Sequence, residues 1–127
     1  MVGVPVTDQN RALAFYVDGL GFEKRVDVVA SDGARWIEVA LPGDETTIAL
    51  VPARAGTTAG IETGIRLVVD TLHDEAAESV RTVRAELQAH GIDADPKVVH
   101  LPGVPPMFSI RDPDGNVLRV IARHRPA

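Results

Sequence analysis

A chain of 127 residues, 45% hydrophobic and 24% charged, has the composition of one ordinary globular domain with room for a single modest core. Thirteen basic residues against eighteen acidic give a net charge of −5, which argues against a nucleic-acid partner and suits a cytoplasmic protein that handles small molecules. No cysteine is present, so disulfides and thiolate chemistry are excluded, and neither a signal peptide nor an apolar run of about 18 residues points to secretion or a membrane.

The chain opens almost inside a strand, at Val2, which leaves residues upstream of Met1 an open question. Val2, Val4 and Val6 alternate with Gly3 and Pro5, which predicts inward valines and a Pro5 facing an edge or the open side. Asp8 suits the N-cap of a helix starting at Gln9, whose Ala12, Leu13, Phe15, Tyr16 and Leu20 are spaced to cover a sheet. Gly19 and Gly21 are expected to end that helix by accepting positive φ. Three strands are predicted next, at about Phe22–Val29, Arg35–Ala40 and Thr46–Val51, with turns at Ser31-Asp32-Gly33 and Pro42-Gly43-Asp44.

The stretch from Ala53 to Thr63 lacks periodicity and reads as a linker. The pattern then begins again. Ile65, Leu67 and Val69 alternate in a strand; Asp74 or Thr71 opens a helix carrying Ala76, Val80, Val83 and Leu87, and Gly91 stops it. Strands near Lys97–His100, Met107–Arg111 and Val117–Ala122 complete the series. Both halves therefore read β-α-β-β-β. A duplicated module of roughly 60 residues is the simplest organisation: one domain, with residues 1–52 and 64–127 as modules and 53–63 between them.

The strongest turn chemistry in the chain is Asp112-Pro113-Asp114-Gly115-Asn116, where proline presets φ and glycine or asparagine accepts φ > 0. Its flanks alternate. Phe108, Ile110, Leu118 and Val120 share one face; Ser109, Arg111, Val117 and Arg119 share the other. This predicts a β-hairpin with an apolar face in the core and an arginine face open to chemistry.

The D-P-D-G-N turn before a last strand resembles the closing hairpin of the vicinal-oxygen-chelate superfamily, which holds glyoxalases, extradiol dioxygenases and bleomycin-resistance proteins. The run from Val4 to Glu23, V-P-V-T-D-Q-N-R-A-L-A-F-Y-V-D-G-L-G-F-E, resembles that superfamily's opening. The two motifs bracket nearly the whole chain in the right order. The resemblance implies an α+β fold: two βαβββ modules forming curled mixed sheets around a shared ligand cleft, one helix outside each. It also implies a homodimer.

If the apolar set of each strand packs on its helix, the alternate set faces the cleft. That set is Met1, Gly3, Pro5, Trp36, Glu38, Thr47, Ala49 and Val51 in the first module. The second adds Gly64, Arg66, Val68, Met107, Ser109, Arg111 and Arg119. Metal-dependent members of the superfamily place His, Glu or Gln ligands on the first and last strand of each module. Those positions fall here on Met1, Ala49, Gly64 and Arg119, none of which suits a divalent cation, so no metal or other cofactor is expected. The histidines do not replace them: His73, His90, His100 and His124 show no ligand spacing and read as surface or capping residues, with His100 on a stiff proline-rich loop that could rim the cleft.

Three functional readings follow. The first is a metal-free binding protein of the bleomycin-resistance type, holding a small planar or anionic molecule on Trp36, Glu38, Ala49, Arg66, Met107, Ser109, Arg111 and Arg119. Guanidiniums clamp carboxylates bidentately, although Arg66 and Arg119 could equally form structural ion pairs, with Glu38 as partner. Trp36 is either core or a stacking wall. Bleomycin is cationic and suits an arginine-lined cleft poorly, so the mode of action carries over and the drug does not. The second reading is an enzyme, a lyase, isomerase or dioxygenase of the same superfamily, using Glu38 as a general base if desolvation raises its pKa, or a metal site in a shifted register. The third is a degenerate module kept for dimerisation or regulation. Catalytic serine and phosphate-loop signatures are absent.

Overall fold

The computed structural model describes residues 1–54, 57–72 and 75–125. The fold is α+β, with two four-stranded mixed sheets that each carry one helix. By contacts the chain divides into two compact units: Met1–Ile61 with Pro113–Asn116, and Glu62–Asp112 with Val117–Ala127. Among the described residues no helix is long and apolar enough to cross a membrane.

The first unit contains β1 (Val2–Val6), α1 (Gln9–Leu13), β2 (Glu23–Val29), β3 (Arg35–Ala40) and β4 (Ile48–Pro52). Its sheet order is β1-β4-β3-β2, with β1 and β4 parallel and the remaining pairs antiparallel. Asp8 caps α1 as its residue type predicts, its carboxylate accepting the Arg11 N–H at 3.0 Å. Beyond Leu13 the helix widens into a π-helix over Ala14–Gly19, where the spacing predicts one continuous α-helix. The Leu20 N–H accordingly reaches back five residues to the Phe15 carbonyl at 3.0 Å. Gly19 stays inside the widened turn, and Gly21, at φ +79°, makes the exit.

Alternation orders β3, where Ile37 and Val39 are buried and Trp36 and Glu38 are not, whereas β1 and β4 bury consecutive residues. Val4, Val6, Ile37, Val39 and Leu50 are buried with Ala12 and Tyr16, and Tyr16 meets Phe15 and Phe22 edge-on at ring separations of 5.0 and 5.7 Å. Pro5 is buried as well. Gln9 fastens the helix to the sheet by donating to the Arg35 and Leu50 carbonyls, each at 2.9 Å. The Arg35 guanidinium forks onto both oxygens of Asp27 at 2.8 Å and also donates to Asn10.

Four residues from far down the chain complete the unit. The Asn116 side chain is 0% exposed; its amide donates to the Pro5 carbonyl at 2.8 Å and accepts from the Gly60 and Ile61 N–H groups at 2.8 and 3.0 Å. Asp114 accepts from the Thr7 N–H at 3.1 Å, from the Thr7 hydroxyl, and from Arg11 at 3.4 Å. Gly60 is obligatory on two counts: its φ is +81°, and a Cβ there would lie 3.0 Å from the Asp114 carbonyl oxygen.

The second unit contains β5 (Glu62–Leu72), α2 (Ala76–Ala89), β6 (Asp93–Ala94), β7 (Met107–Arg111) and β8 (Val117–Arg125). Its sheet order is β5-β8-β7-β6, with β5 and β8 parallel. Phe108, Ile110, Leu118, Val120 and Ala122 are buried with Ala76, Val80 and Ile92, as the hairpin alternation predicts. β5 begins at Glu62, so the last two residues read as linker are strand. Thr71 lies in β5 and does not open α2, whose N-cap is Glu75 without a side-chain capping bond. The expectations for His73 and Asp74, and for the side chain of His124, lie outside the described residues. His90 ends α2, its Nδ1 2.7 Å from the Glu86 carbonyl, as a capping role requires.

The strand expected near Lys97–His100 is not formed. β6 lies earlier, at Asp93–Ala94, and only the Val99–Met107 bridge touches the predicted span. The Asp95 N–H still reaches the Ser109 carbonyl at 2.9 Å, but the Asp95 carbonyl turns to Arg84 at 2.7 Å and the Asp95 carboxylate takes the Ser109 N–H at 2.9 Å in place of a strand carbonyl, so the ladder ends there.

Two outcomes are expected. Asn116→Ala leaves the buried Pro5 carbonyl, and the N–H groups of the exposed residues Gly60 and Ile61, without their partner, and should lower unfolding free energy by roughly 1–3 kcal/mol in urea titrations, the cost of one unsatisfied buried group. A loss under about 0.5 kcal/mol would remove the anchoring role, being the size of an ordinary surface substitution. The Arg35 fork holds the Asp27 carboxyl down at about 2, against its ordinary value of 3.8. A depressed folded-state pKa stabilises the fold above the unfolded value and is lost as pH falls from about 4 toward about 2. Asp27→Asn should therefore flatten the acid limb of the stability curve in that window, and an unchanged limb would show that the fork does not form in solution.

Candidate functional site

The face of the first sheet opposite its buried set is built by Gly3, Trp36, Glu38, Thr47, Ala49 and Val51. Glu38 stands opposite Ala49 across β3 and β4, and Ala49 stands opposite Gly3 across β4 and β1. Trp36 is not core: it is 38% exposed, with Val28, 53% exposed, as its cross-strand partner. Its indole N–H donates to one Glu38 oxygen at 2.7 Å, and the Thr47 hydroxyl donates to the other at 2.7 Å. Ala49 is buried and presents no surface for a ligand.

These two hydrogen bonds decide the protonation of Glu38. The Trp36 bond first and the Thr47 bond second stabilise the carboxylate; burial opposes them and is outweighed, so the Glu38 pKa lies below its ordinary value. A general base near neutrality needs the opposite shift. Both oxygens are already engaged.

On the second sheet, the strand register aligns residues from three strands into rows on the face away from the core. Arg66, Arg119 and Ser109 form one row, with Arg119 central, and Val68, Ile121 and Met107 form the next. Arg119 donates to Glu62 at 2.6 Å. Its partner is thus Glu62, not Glu38. The Glu62 carboxyl is held below its ordinary pKa, chiefly by the Arg119 hydrogen bond, against desolvation and with help from the Gly64 N–H. Arg66 donates to the Gly64 carbonyl at 2.9 Å, so the row holds two guanidiniums against one carboxylate. Arg111 lies at the far edge, where Asp95 at 2.6 Å and Asp93 at 3.5 Å take its charge.

Sequence reasoning missed Glu62 and Asp95. Glu62 was hidden in the linker, yet extending the β5 alternation backward from Arg66 through Gly64 reaches it. Asp95 stood before a proline, with no local sign that its carboxylate enters the ladder. His100 is exposed in the segment between β6 and β7.

The four positions where metal-dependent relatives carry ligands do not fit a divalent cation. Met1 is 70% exposed with only a thioether, Ala49 and Gly64 have no donor, and Arg119 is a cation. Among the described residues no group of three or more His, Cys, Asp or Glu side chains is placed to hold a metal.

The profile of the Glyoxalase/Bleomycin resistance protein/Dioxygenase superfamily matches residues 1–120. The chain belongs to this superfamily. No curated protein matches it in sequence. Among solved structures it is similar to a superfamily member from Sphaerobacter thermophilus DSM 20745, at 28% identity and TM-score 0.82, covering 95% of this chain and 93% of that one. It is also similar to TnmS3, an antibiotic binding protein from Streptomyces sp. CB03234, at 31% identity and TM-score 0.74 over 94% and 90% of the two chains. A fosfomycin resistance protein from Listeria monocytogenes, solved with manganese(II) and a dihydroxypropylphosphonic acid, shares the fold at 15% identity and TM-score 0.63, covering 94% and 84%.

The Glu62 carboxyl, followed by carbon-detected NMR, should titrate below a free glutamate, and Arg119→Ala should move its midpoint upward. Because the folded pKa is the depressed one, the pair contributes stability above the unfolded pKa, and this is lost as pH falls through the folded value. A midpoint unmoved by the substitution would mean that the pair is absent in solution.

Proposed function

We propose that the chain is a metal-free binding protein for a small organic anion with a planar or apolar body, in the manner of the antibiotic-binding members of its superfamily. The observation that carries this reading is the pair of rows on the second sheet. Arg66 and Arg119 offer two guanidiniums in register, and Val68, Ile121 and Met107 offer an apolar strip directly beside them. Glu62 neutralises only one of the two guanidiniums, which leaves net positive charge on a chain that is acidic as a whole. Planar guanidiniums bind carboxylates and phosphates through paired N–H groups. The 31% identity to TnmS3 supports a binding role. The engagement of both Glu38 oxygens supports assigning that residue to structure in place of proton transfer. The same proposal makes the protein a cytoplasmic homodimer built from two modules, residues 1–52 and 64–127.

Calorimetry with naphthalene-2-carboxylate and its neutral carboxamide tests the charge requirement. The carboxylate should bind more tightly, and Arg119→Ala and Arg66→Ala should each weaken it roughly 10- to 100-fold, the range for one charge-assisted hydrogen bond. Because both side chains are partly solvated, melting temperatures should change little. Equal affinity for the two probes, or carboxylate affinity indifferent to both substitutions, would defeat the anion reading.

A further inference from the structure

The side chains around Trp36 suggest how the binding face is prepared before any ligand arrives. Trp36 is the only tryptophan in the chain and is 38% exposed on a strand whose neighbours Ile37 and Val39 are fully buried. An exposed indole on a flat sheet face ordinarily samples several rotamers. This one is tethered. Trp36 and Glu38 are two apart on β3 and share a face, so the ring lies along the strand with its N–H on the Glu38 carboxylate at 2.7 Å. Glu38 is in turn held from β4's approach by the Thr47 hydroxyl at 2.7 Å. Both are hydrogen bonds to a charged group, at an ordinary length for a hydroxyl and a short one for an indole N–H. Val28, across from Trp36 on β2, extends the apolar surface.

We propose that Glu38 and Thr47 are positioning residues that fix the Trp36 indole as a preformed stacking wall for a planar aromatic ligand. The inference rests on the small-molecule reading above and concerns what the face of the first sheet recognises by itself, an aromatic ring. Three observations converge on it. The indole is too exposed to serve mainly as core. Its polar edge is fully committed, so the surface left for contact is the π face. The ordering entropy of the ring is met by the fold and not by the ligand, which is how preorganisation raises affinity. Glu38 acts here through Trp36, without itself touching the ligand.

The single tryptophan makes the test direct. In ligand-free protein, Glu38→Ala should lower the fluorescence anisotropy of Trp36 and raise its acrylamide quenching at least twofold, with Thr47→Val intermediate because one bond of the relay remains. Binding is then measured by calorimetry with two neutral probes of similar size, naphthalene-2-carboxamide and its decahydronaphthalene analogue. Wild-type protein should prefer the aromatic probe, and Glu38→Ala should weaken it five- to tenfold while leaving the saturated probe and the melting temperature nearly unchanged. Trp36→Phe keeps a π face without the N–H and should behave like Glu38→Ala; Trp36→Ala should abolish the aromatic preference. An indole as rigid in Glu38→Ala as in wild type, equal losses for both probes, or a wild-type protein that binds neither probe would each overturn the proposal. Neutral probes keep this outcome separate from the charge test on Arg66 and Arg119: either can fail while the other holds.

Discussion

One buried amide does more to organise the first unit than any other polar group. Asn116 is separated from Pro5 by 111 residues, yet its side chain closes hydrogen bonds to β1 and to the segment at Gly60 and Ile61, with no access to water. A buried amide that lost these partners would leave backbone groups unsatisfied at considerable cost. Its place in the chain is therefore set by geometry that three separate segments must meet at once. Asp114, two residues earlier, makes the same kind of commitment to Thr7 and Arg11. The four-residue tip of the last hairpin thus belongs to the opening unit, although both of its strands belong to the other.

The rest of the architecture follows from strand alternation working against this frame. In each sheet one set of side chains packs with the helix and the other lies on the opposite face. The buried sets are aliphatic and aromatic almost without exception. The remaining sets differ in character: indole, carboxylate and hydroxyl on the first sheet, guanidinium, hydroxyl and apolar rows on the second. Charges on these faces are settled locally. Glu38 is held by its neighbours Trp36 and Thr47, Arg119 by Glu62, and Arg111 by Asp93 and Asp95. Such pairs contribute little to stability where solvent reaches them, and their larger effect is to restrict where long side chains point.

The superfamily is known for using one scaffold with different sites, and this chain illustrates the separation of fold from chemistry. Its opening and closing motifs secure capping, turn and core positions: Asp8 on α1, Asn116 on β1, the buried faces of β7 and β8. The residues expected at metal-ligand positions carry no suitable donors, and two of them answer to the fold: Ala49 is buried and Gly64 takes φ +74°.

Much of this was legible from the amino-acid order alone, because periodicity of two and the chemistry of caps and turns are local. The α+β class, the two β-α-β-β-β series, the N-cap at Asp8, and the split of the last hairpin into a core face and an arginine face were all determined by residues within a few positions of one another. What tertiary structure alone decided were partnerships across long separations and the local departures they permit. Arg119 had Glu38 as its candidate partner until the start of β5 brought Glu62 beside it. The strand expected at Lys97–His100 gave way to Asp93–Ala94, and the ladder ended where the Asp95 carboxylate took the Ser109 N–H. The widening of α1 into a π-helix left no mark in the spacing. Only its exposure and its bond to Glu38 showed that Trp36 is not core. Local sequence specifies which face a side chain takes; which charge or ring it finds there depends on strands that meet only after the chain has folded.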